Sequence, residues 1–472
     1  MNSLDAAVRY VLLAAAACFV VGLHLMNTPR TARRGNAISA AAMAVAVLAT
    51  AVLLLNDGAI SGYGWLVLLL GGALGSAAGL YSARRVAMTA MPQLVSLFNA
   101  VGGGAAVLIT VTDLLQTSHP AGIAARTTVP GALDIVIGAV TFSGSLIAAG
   151  KLQGLVPGRP IGLPALRTAC TFGLPLMFVA GLISVLDPQW LWLSAALLPA
   201  LGLAFGVAMV LPIGGADMPV VISLLNACTG TAVAMAGFVL DEPALITAGA
   251  LVGASGGILT KLMADAMNRS IVSIIVGGFG TGDEGPVGGE GAGDARVRSL
   301  SVDDAAIQLA YAERVMIVPG YGLAAAQAQH ELGDLAQLLE EHGVQVRYAV
   351  HPVAGRMPGH MNVLLAEADV PYPQLLDLEE ANPAFPQTDV SLVVGANDVT
   401  NPAARRPGNP VSGMPVLDVD RSKNVIVIKR SMAPGYAGID NELYTAPQTG
   451  MLFSDAKQAL SDLRAAVRTF VA

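Results

Sequence analysis

The chain has 472 residues, 54% of them hydrophobic and 12% charged, with a net charge of −7 and a mean hydropathy of +0.63. That mixture excludes an ordinary soluble globular protein and requires much of the chain to sit in lipid. The acidic balance argues against nucleic acid as a partner, and Cys18, Cys170 and Cys228 lie in apolar runs without metal-ligand spacing, so neither a disulfide framework nor a metal site is expected.

A spanning helix needs about 20 apolar residues. On that criterion about nine segments qualify: Ala7 to Met26, Ala37 to Leu55, Tyr63 to Ser82, Gln93 to Leu115, Gly131 to Gly150, Ala165 to Leu186, Trp190 to Val210, Val220 to Leu240 and Ala244 to Met267. The first lacks a basic leading region and a cleavage site, so it reads as a span rather than a cleavable signal. Cations follow the first, third and fifth spans and stand around the end of the ninth: Arg30, Arg33 and Arg34, then Arg84 and Arg85, then Lys151 and Arg159, then Lys261 and Arg269. The alternate loops around Asp57, Asp187 and Asp241 are nearly free of them. Positive-inside bias therefore predicts an outside N-terminus and a cytoplasmic C-terminal region.

Small residues crowd these segments, as at Gly71-Gly72-Ala-Leu-Gly75, Gly102 to Gly104 and Gly253 to Gly257, which reads first as close helix packing. Amide and ionisable side chains inside lipid point to function. The candidates are Asn99 in the fourth span, Asp217 just before the eighth and Asn226 inside it. On one continuous helix Asp217 and Asn226 would lie about 13 Å apart, two points of one polar path. Asp217 reads equally well as a helix cap, with Pro219 in the first turn. Only His24 falls in a span, which argues against bis-histidine haem.

The chain then divides into a membrane region, 1–270, a glycine-rich acidic linker, 271–303, and a soluble α/β region, 304–472. From Arg314 an apolar strand runs into Gly320-Tyr321-Gly322-Leu-Ala-Ala325-Ala-Gln327 and a helical stretch to about His342. This is the context a G-x-G-x-x-A dinucleotide fingerprint requires. Further strands are expected at Val344 to Val350, Val390 to Val394, Val416 to Val419 and Asn424 to Ile428, with a closing helix from Ser454 to Val471. The alternation predicts a Rossmann-like doubly wound parallel sheet.

Polar clusters stand at the expected strand ends, where such sheets bind ligands: Gly355-Arg356-Met357-Pro358, Gly395-Ala396-Asn397-Asp398, and Lys429-Arg430-Ser431 followed by Gly435-Tyr436-Ala437-Gly438. Two cations and a hydroxyl suit the 2′-phosphate of NADP(H). Their bland reading is a solvated charge pair, that of Asp398 an Asx turn, and that of Arg356 a surface loop.

The blocks GGADMPVV from Gly214, AMNRS from Ala266, PGYGLAAAQAQ from Pro319, HPVAGRMPGHMNVLLAEA from His351, GAND from Gly395, GMPVL from Gly413, KRSMAPGYAG from Lys429 and MLFSDAK from Met451 occur in this order. Together they resemble the beta subunit of proton-translocating NAD(P) transhydrogenase over nearly the whole chain. The resemblance implies NADP(H) held here and NAD(H) on an alpha-type partner subunit with additional membrane helices. It further implies hydride transfer coupled to proton movement, a cell inner membrane location and a dimer of the complete assembly. It assigns Lys429, Arg430 and Ser431 to the 2′-phosphate. Gly320 to Gly322 and the loop Val353, Ala354, Gly355, Arg356, Met357, Pro358 would lie around the pyrophosphate and nicotinamide, with Asp398 near the cofactor. Gly413, Met414, Asp455 and Ala456 would be lesser contacts, and Gly435 to Gly438 a closing loop. Asp217 and Asn226 match proton-coupling positions. Asn99 stands where some members carry histidine, and an amide cannot hold a proton at neutral pH, so the titrating group is left open, with a histidine on the partner membrane subunit as the alternative the resemblance offers. The competing reading is a membrane transporter regulated by its nucleotide domain. A quinone-reducing NADP-dependent reductase would need a redox relay for which no ligand set is seen.

Overall fold

The structure is a computed structural model. It describes residues 3–26, 29–58, 60–87, 90–116, 125–157, 161, 164–186, 191–214, 217–266, 270–272, 274–275, 297–355, 359–406, 411–432 and 439–471. These residues form two compact units, one chiefly from the helices before residue 266 and one from the chain after residue 297.

Nine helices are described in the first region: α1 (Ser3–Leu25), α2 (Pro29–Asp57), α3 (Gly62–Arg85), α4 (Met91–Gln116), α5 (Ala125–Gln153), α6 (Pro164–Leu186), α7 (Leu191–Val210), α8 (Met218–Val239) and α9 (Pro243–Ala266). Each predicted apolar segment is one of these helices. Seven are long and apolar enough to cross a membrane, whereas the described apolar stretches of α6 and α7 are the shorter Thr171–Ile183 and Ala195–Val210.

The small residues act selectively. A Cβ on Gly138 would lie 2.8 Å from the Gly103 carbonyl oxygen, and one on Gly230 2.3 Å from the Gly253 nitrogen. Only glycine permits these helix backbones to touch. Gly71, Gly72 and Gly75 instead meet nothing within 4 Å, and α3 buries none of its residues. The packing expectation therefore fails for α3 within this chain. Lys151 also differs from expectation. It stands in the last turn of α5 at 5% exposure, its Nζ donating to the Leu211 carbonyl at 2.5 Å, so it is a packed side chain and no free loop cation.

The second region opens with α10 (Val302–Ala310), capped by Ser301, whose hydroxyl accepts from the Asp304 N–H. Six parallel strands follow in the order β3-β2-β1-β4-β5-β6: β1 (Arg314–Pro319), β2 (Gln345–Ala349), β3 (Leu375–Leu376), β4 (Val390–Val394), β5 (Asn424–Lys429) and β6 (Thr449–Phe453). Leading the chain into α10, Arg298 and Leu300 exchange backbone hydrogen bonds with Met451 of β6. β4 is buried at every position, as a strand covered on both faces must be. Ile317, Leu392, Ile426 and Leu460 belong to one apolar core, and Met316, Val393 and Val427 to a second.

Two local expectations need correction. The helix after β1 is broken. α11 (Tyr321–Ala326) ends at Gln327 in the left-handed region, φ 50, before α12 (Gln329–Glu341). Val416 to Val419 is not a strand. Asn382 satisfies its backbone instead, donating Nδ2 to the Val416 carbonyl at 3.1 Å and accepting the Asp418 N–H at 2.9 Å. The remaining elements used below are α13 (His360–Glu367) and α15 (Ala456–Val471), with the four-residue α14 (Leu378–Ala381) between them.

Candidate functional site

The chain reverses its winding between β1 and β4, the crevice where open α/β sheets take their ligands. The turns leaving these strands interlock. Gly320 N–H donates to the Val394 carbonyl and Gly322 N–H to the Gly395 carbonyl, both at 2.9 Å. A Cβ on Gly320 would stand 2.3 Å from the Ala396 Cα, and one on Gly395, whose φ is +67, 2.3 Å from the Gly322 Cα. The fingerprint glycines therefore serve contact between two protein backbones, one amide being committed to the end of β4 and the other to the turn that follows it. Ala325 and Gln327 are exposed on and after α11, while Tyr321 is partly buried, its ring centroid 6.5 Å from that of His360.

After β2 the chain turns on His351, which is 1% exposed. Its Nδ1 accepts the Val353 N–H at 3.2 Å, so the Nε2, 2.7 Å from the Pro415 carbonyl oxygen, carries the hydrogen and donates it. Burial, the larger influence, pushes this imidazole down to about 4 against the opposing Pro415 hydrogen bond, so it is neutral at physiological pH. Its two bonds tie the start of the Val353-Ala354-Gly355 turn to Pro415, which follows Gly413-Met414. Gly355 has φ +102, and a Cβ there would meet His360 Nδ1 at 2.5 Å. Arg356, Met357 and Pro358 lie outside the described residues.

After β4, Asn397 is held from two sides. Tyr444 donates its hydroxyl to Asn397 Oδ1 at 2.9 Å, and Asn441 donates Nδ2 to the Asn397 carbonyl at 2.9 Å. Ala396 is buried and its carbonyl lies 3.2 Å from the Tyr444 hydroxyl. Burial first, and the Asp398 charge further, push the Tyr444 phenol up, against a lowering hydrogen bond from Asn441. It stays a donor.

β5 ends in Lys429, partly buried, then Arg430 and Ser431, both exposed. The Lys429 ammonium stands over the Tyr444 ring, 4.7 Å from its centroid, a cation–π contact. Burial lowers the affinity of this amine for its proton, while Asp398 and Asp440 restore part of it. Among the described residues no carboxylate forms an ion pair with Arg430. An ammonium backed by an aromatic face, an exposed guanidinium fork and a hydroxyl fit a phosphate monoester. Gly435, Tyr436, Ala437 and Gly438 lie outside the described residues, although Asn441 and Tyr444 anchor the chain just beyond them.

The other predicted positions are more peripheral. Gly413 and Met414 line a cleft of about 600 Å³ with Arg405, Arg406, Pro415 and Asp418. In its wall Arg405 reaches Asp418 at 2.5 Å and Asp420 at 2.7 Å. Asp455 accepts the Lys457 N–H at 3.1 Å and so caps α15, with Ala456 buried behind it.

In the helical region Asn99 is 4% exposed, donating to the Ile222 carbonyl and accepting the Thr229 hydroxyl at its own carbonyl, each at 3.3 Å. Asn226 is partly exposed in α8, its side chain making no hydrogen bond among the described residues, and Asp217 is buried immediately before α8. His351, Asn441 and Tyr444 were not among the sequence candidates. Asn441 ahead of Glu442-Leu443-Tyr444 is a turn-capping signal that could have marked the last two. Nothing in spacing alone marks His351.

Apolar helices followed by a doubly wound sheet, with a phosphate-suited turn at its carboxyl edge, define a membrane protein with a Rossmann-like domain. The family model described as NAD(P) transhydrogenase beta subunit matches residues 8–466. Two relatives named NAD(P) transhydrogenase subunit beta, both from Rhodospirillum rubrum and one from a designated strain, are each 46% identical over 452 residues, spanning 94% of this chain and 96% of theirs. The chain belongs to the NAD(P) transhydrogenase beta subunit family, which works on nicotinamide nucleotides.

Proposed function

We propose that this chain is the NADP(H)-holding and proton-conducting subunit of a transhydrogenase, acting with an alpha-type subunit that carries NAD(H) and further membrane helices. Residues 1–270 form the proton-translocating region, 271–303 a linker and 304–472 the NADP(H) domain. Hydride exchange with NAD(H) on the partner is the chemistry NADP(H) supplies when bound. Lys429 and Arg430 neutralise its 2′-phosphate, with Ser431 as a further donor. Tyr444 and Asn441 hold the Asn397-Asp398 turn in place beside them, and the interlocked Gly320, Gly322 and Gly395 turns set the floor of the crevice. Asp217, Asn226 and Asn99 belong to the proton path. The helix ends bearing Arg33 and Arg34 in α2 and Arg84 and Arg85 in α3 support an inner-membrane placement with the N-terminus outside and the NADP(H) domain in the cytoplasm. The complete assembly is a dimer.

The turn Lys429-Arg430-Ser431, with Lys429 seated on Tyr444, carries this reading. Two charge-assisted contacts are each worth about 1.5–3 kcal/mol. Replacing both cations, Lys429→Ala with Arg430→Ala, is expected to weaken NADPH binding by about 100-fold or more while leaving NADH binding nearly unchanged. Calorimetry with the two nucleotides measures this, and an intact preference for NADPH would refute the assignment.

A further inference from the structure

Asp134 is fully shielded in α5, at 0% exposure. Thr110 of α4 donates its hydroxyl to Oδ2 at 2.5 Å, whereas the equally buried Oδ1 has no hydrogen-bond partner. Its surroundings are apolar: Ile135 beside it packs with Val107, Leu114, Ala180 and Leu198. Gly131, one turn earlier, faces Thr110 and Val239 of α8, which a Cβ would meet at 3.4 and 3.6 Å. An ionised carboxylate with one oxygen unsatisfied in such a place costs several kcal/mol, on the order of that for any poorly paired buried ion. A carboxyl that takes up a proton escapes that cost, and an ionisable group inside a membrane helix marks an ion or proton route.

The same α4–α5 seam carries other polar groups. Ser96 donates to the Ser145 carbonyl at 2.8 Å, and Asn99 of α4 bonds Ile222 and Thr229 of α8. Hydroxyls and amides pass protons along but hold no charge at neutral pH. Among ionisable neighbours, α4 adds Asp113, three residues beyond Thr110, and α8 adds only Cys228. α6 and α7 add none among their described side chains. Lys151 on α5 itself is 17 positions away, about 25 Å along the axis and too far to pair.

We infer that Asp134, held by Thr110, is the carboxyl group that binds and releases the transported proton in the membrane region. The assignment rests on the proton-coupled reading above. It is tested with the full chain and its alpha-type partner in vesicles supplied with NADPH and an oxidised NAD analogue, following acidification and hydride transfer together. Asp134→Asn is expected to lower protons moved per hydride at least tenfold with NADPH affinity unchanged, and Asp134→Glu to recover part of the loss. Infrared difference spectra of the chain between high and low pH should show a carboxylic-acid carbonyl band that is missing in Asp134→Asn and displaced in Thr110→Val, a readout that a purely structural hydrogen bond would not move. Acidification at full rate by Asp134→Asn overturns the assignment, as does the lack of a titrating band. If Asp134→Asn does not accumulate, Asp134→Glu and Thr110→Val must each displace the pH profile of acidification, and an unmoved profile overturns it equally. Hydride transfer without acidification by the unsubstituted complex overturns proton coupling itself, which separates that failure from the failure of Asp134 alone.

Discussion

His351 shows how one side chain sets both shape and pH response. With both ring nitrogens engaged, the neutral imidazole is part of the folded state, and its affinity for a proton falls from the ordinary 6.5 to about 4. Between those values the unfolded chain binds the proton and the folded chain does not, so stability rises with pH. The contribution is complete above about 6.5 and is lost as pH falls toward 4, with an upper bound of roughly 3 kcal/mol. Denaturation of the chain in detergent, followed by amide exchange of β1 and β4 peptides, should show this loss, and His351→Gln should flatten it. The Nδ1 partner, Val353, is local, but the Nε2 partner, Pro415, lies 64 residues on. That is why this residue escaped a reading in which Lys429 and Arg430, adjacent and following an apolar strand, stood out at once.

The elements divide between those written in local pattern and those made by tertiary contact. β4 was legible because Val390 to Val394, all valine or leucine except Ser391, is a short apolar run between polar turns. β6, Thr449-Gly450-Met451-Leu452-Phe453, was missed because glycine dilutes its pattern. The run Val416 to Val419 looked like a strand because it is apolar, yet the amide that satisfies it belongs to Asn382. The break at Gln327 carries no glycine or proline to announce it. Asp134 stands near the start of the fifth apolar segment, where a carboxylate is ordinary at a helix end, and its burial is made by tertiary contact with Thr110 of α4. The glycine turns were legible as a dinucleotide fingerprint, but their mutual contact was not. That contact gives a sharp comparison. Gly343 also has positive φ but meets nothing within 4 Å, so Gly343→Ala should cost only the left-handed penalty of about 1–2 kcal/mol. Gly395→Ala adds a collision with Gly322 and should cost at least about 1–3 kcal/mol more. The same exchange measurement distinguishes the two, and equal losses would refute the interlocked-turn account.

At the scale of the whole chain, the division into an apolar helical region and a parallel-sheet region followed from hydropathy and periodicity alone. On the proposed function, the one Rossmann-like sheet described holds one nucleotide, whereas hydride transfer between nucleotides needs two nicotinamides in contact. The purified chain alone should therefore bind NADPH yet transfer no hydride to an NAD analogue at a rate distinguishable from solvent controls, and activity should appear on adding the alpha-type subunit. Stopped-flow absorbance measures both. The backbone exchange of Arg298 and Leu300 with Met451 has a separate consequence for how this domain keeps to itself. β6 is the last strand of the sheet, and an outermost strand with bare amides and carbonyls is a template on which a second molecule can polymerise. The few residues ahead of α10 occupy that template at Met451. A fragment beginning at Val302 should self-associate in light scattering, whereas one beginning at Val297 should remain monodisperse, the short lead-in acting as a built-in chaperone for its own edge.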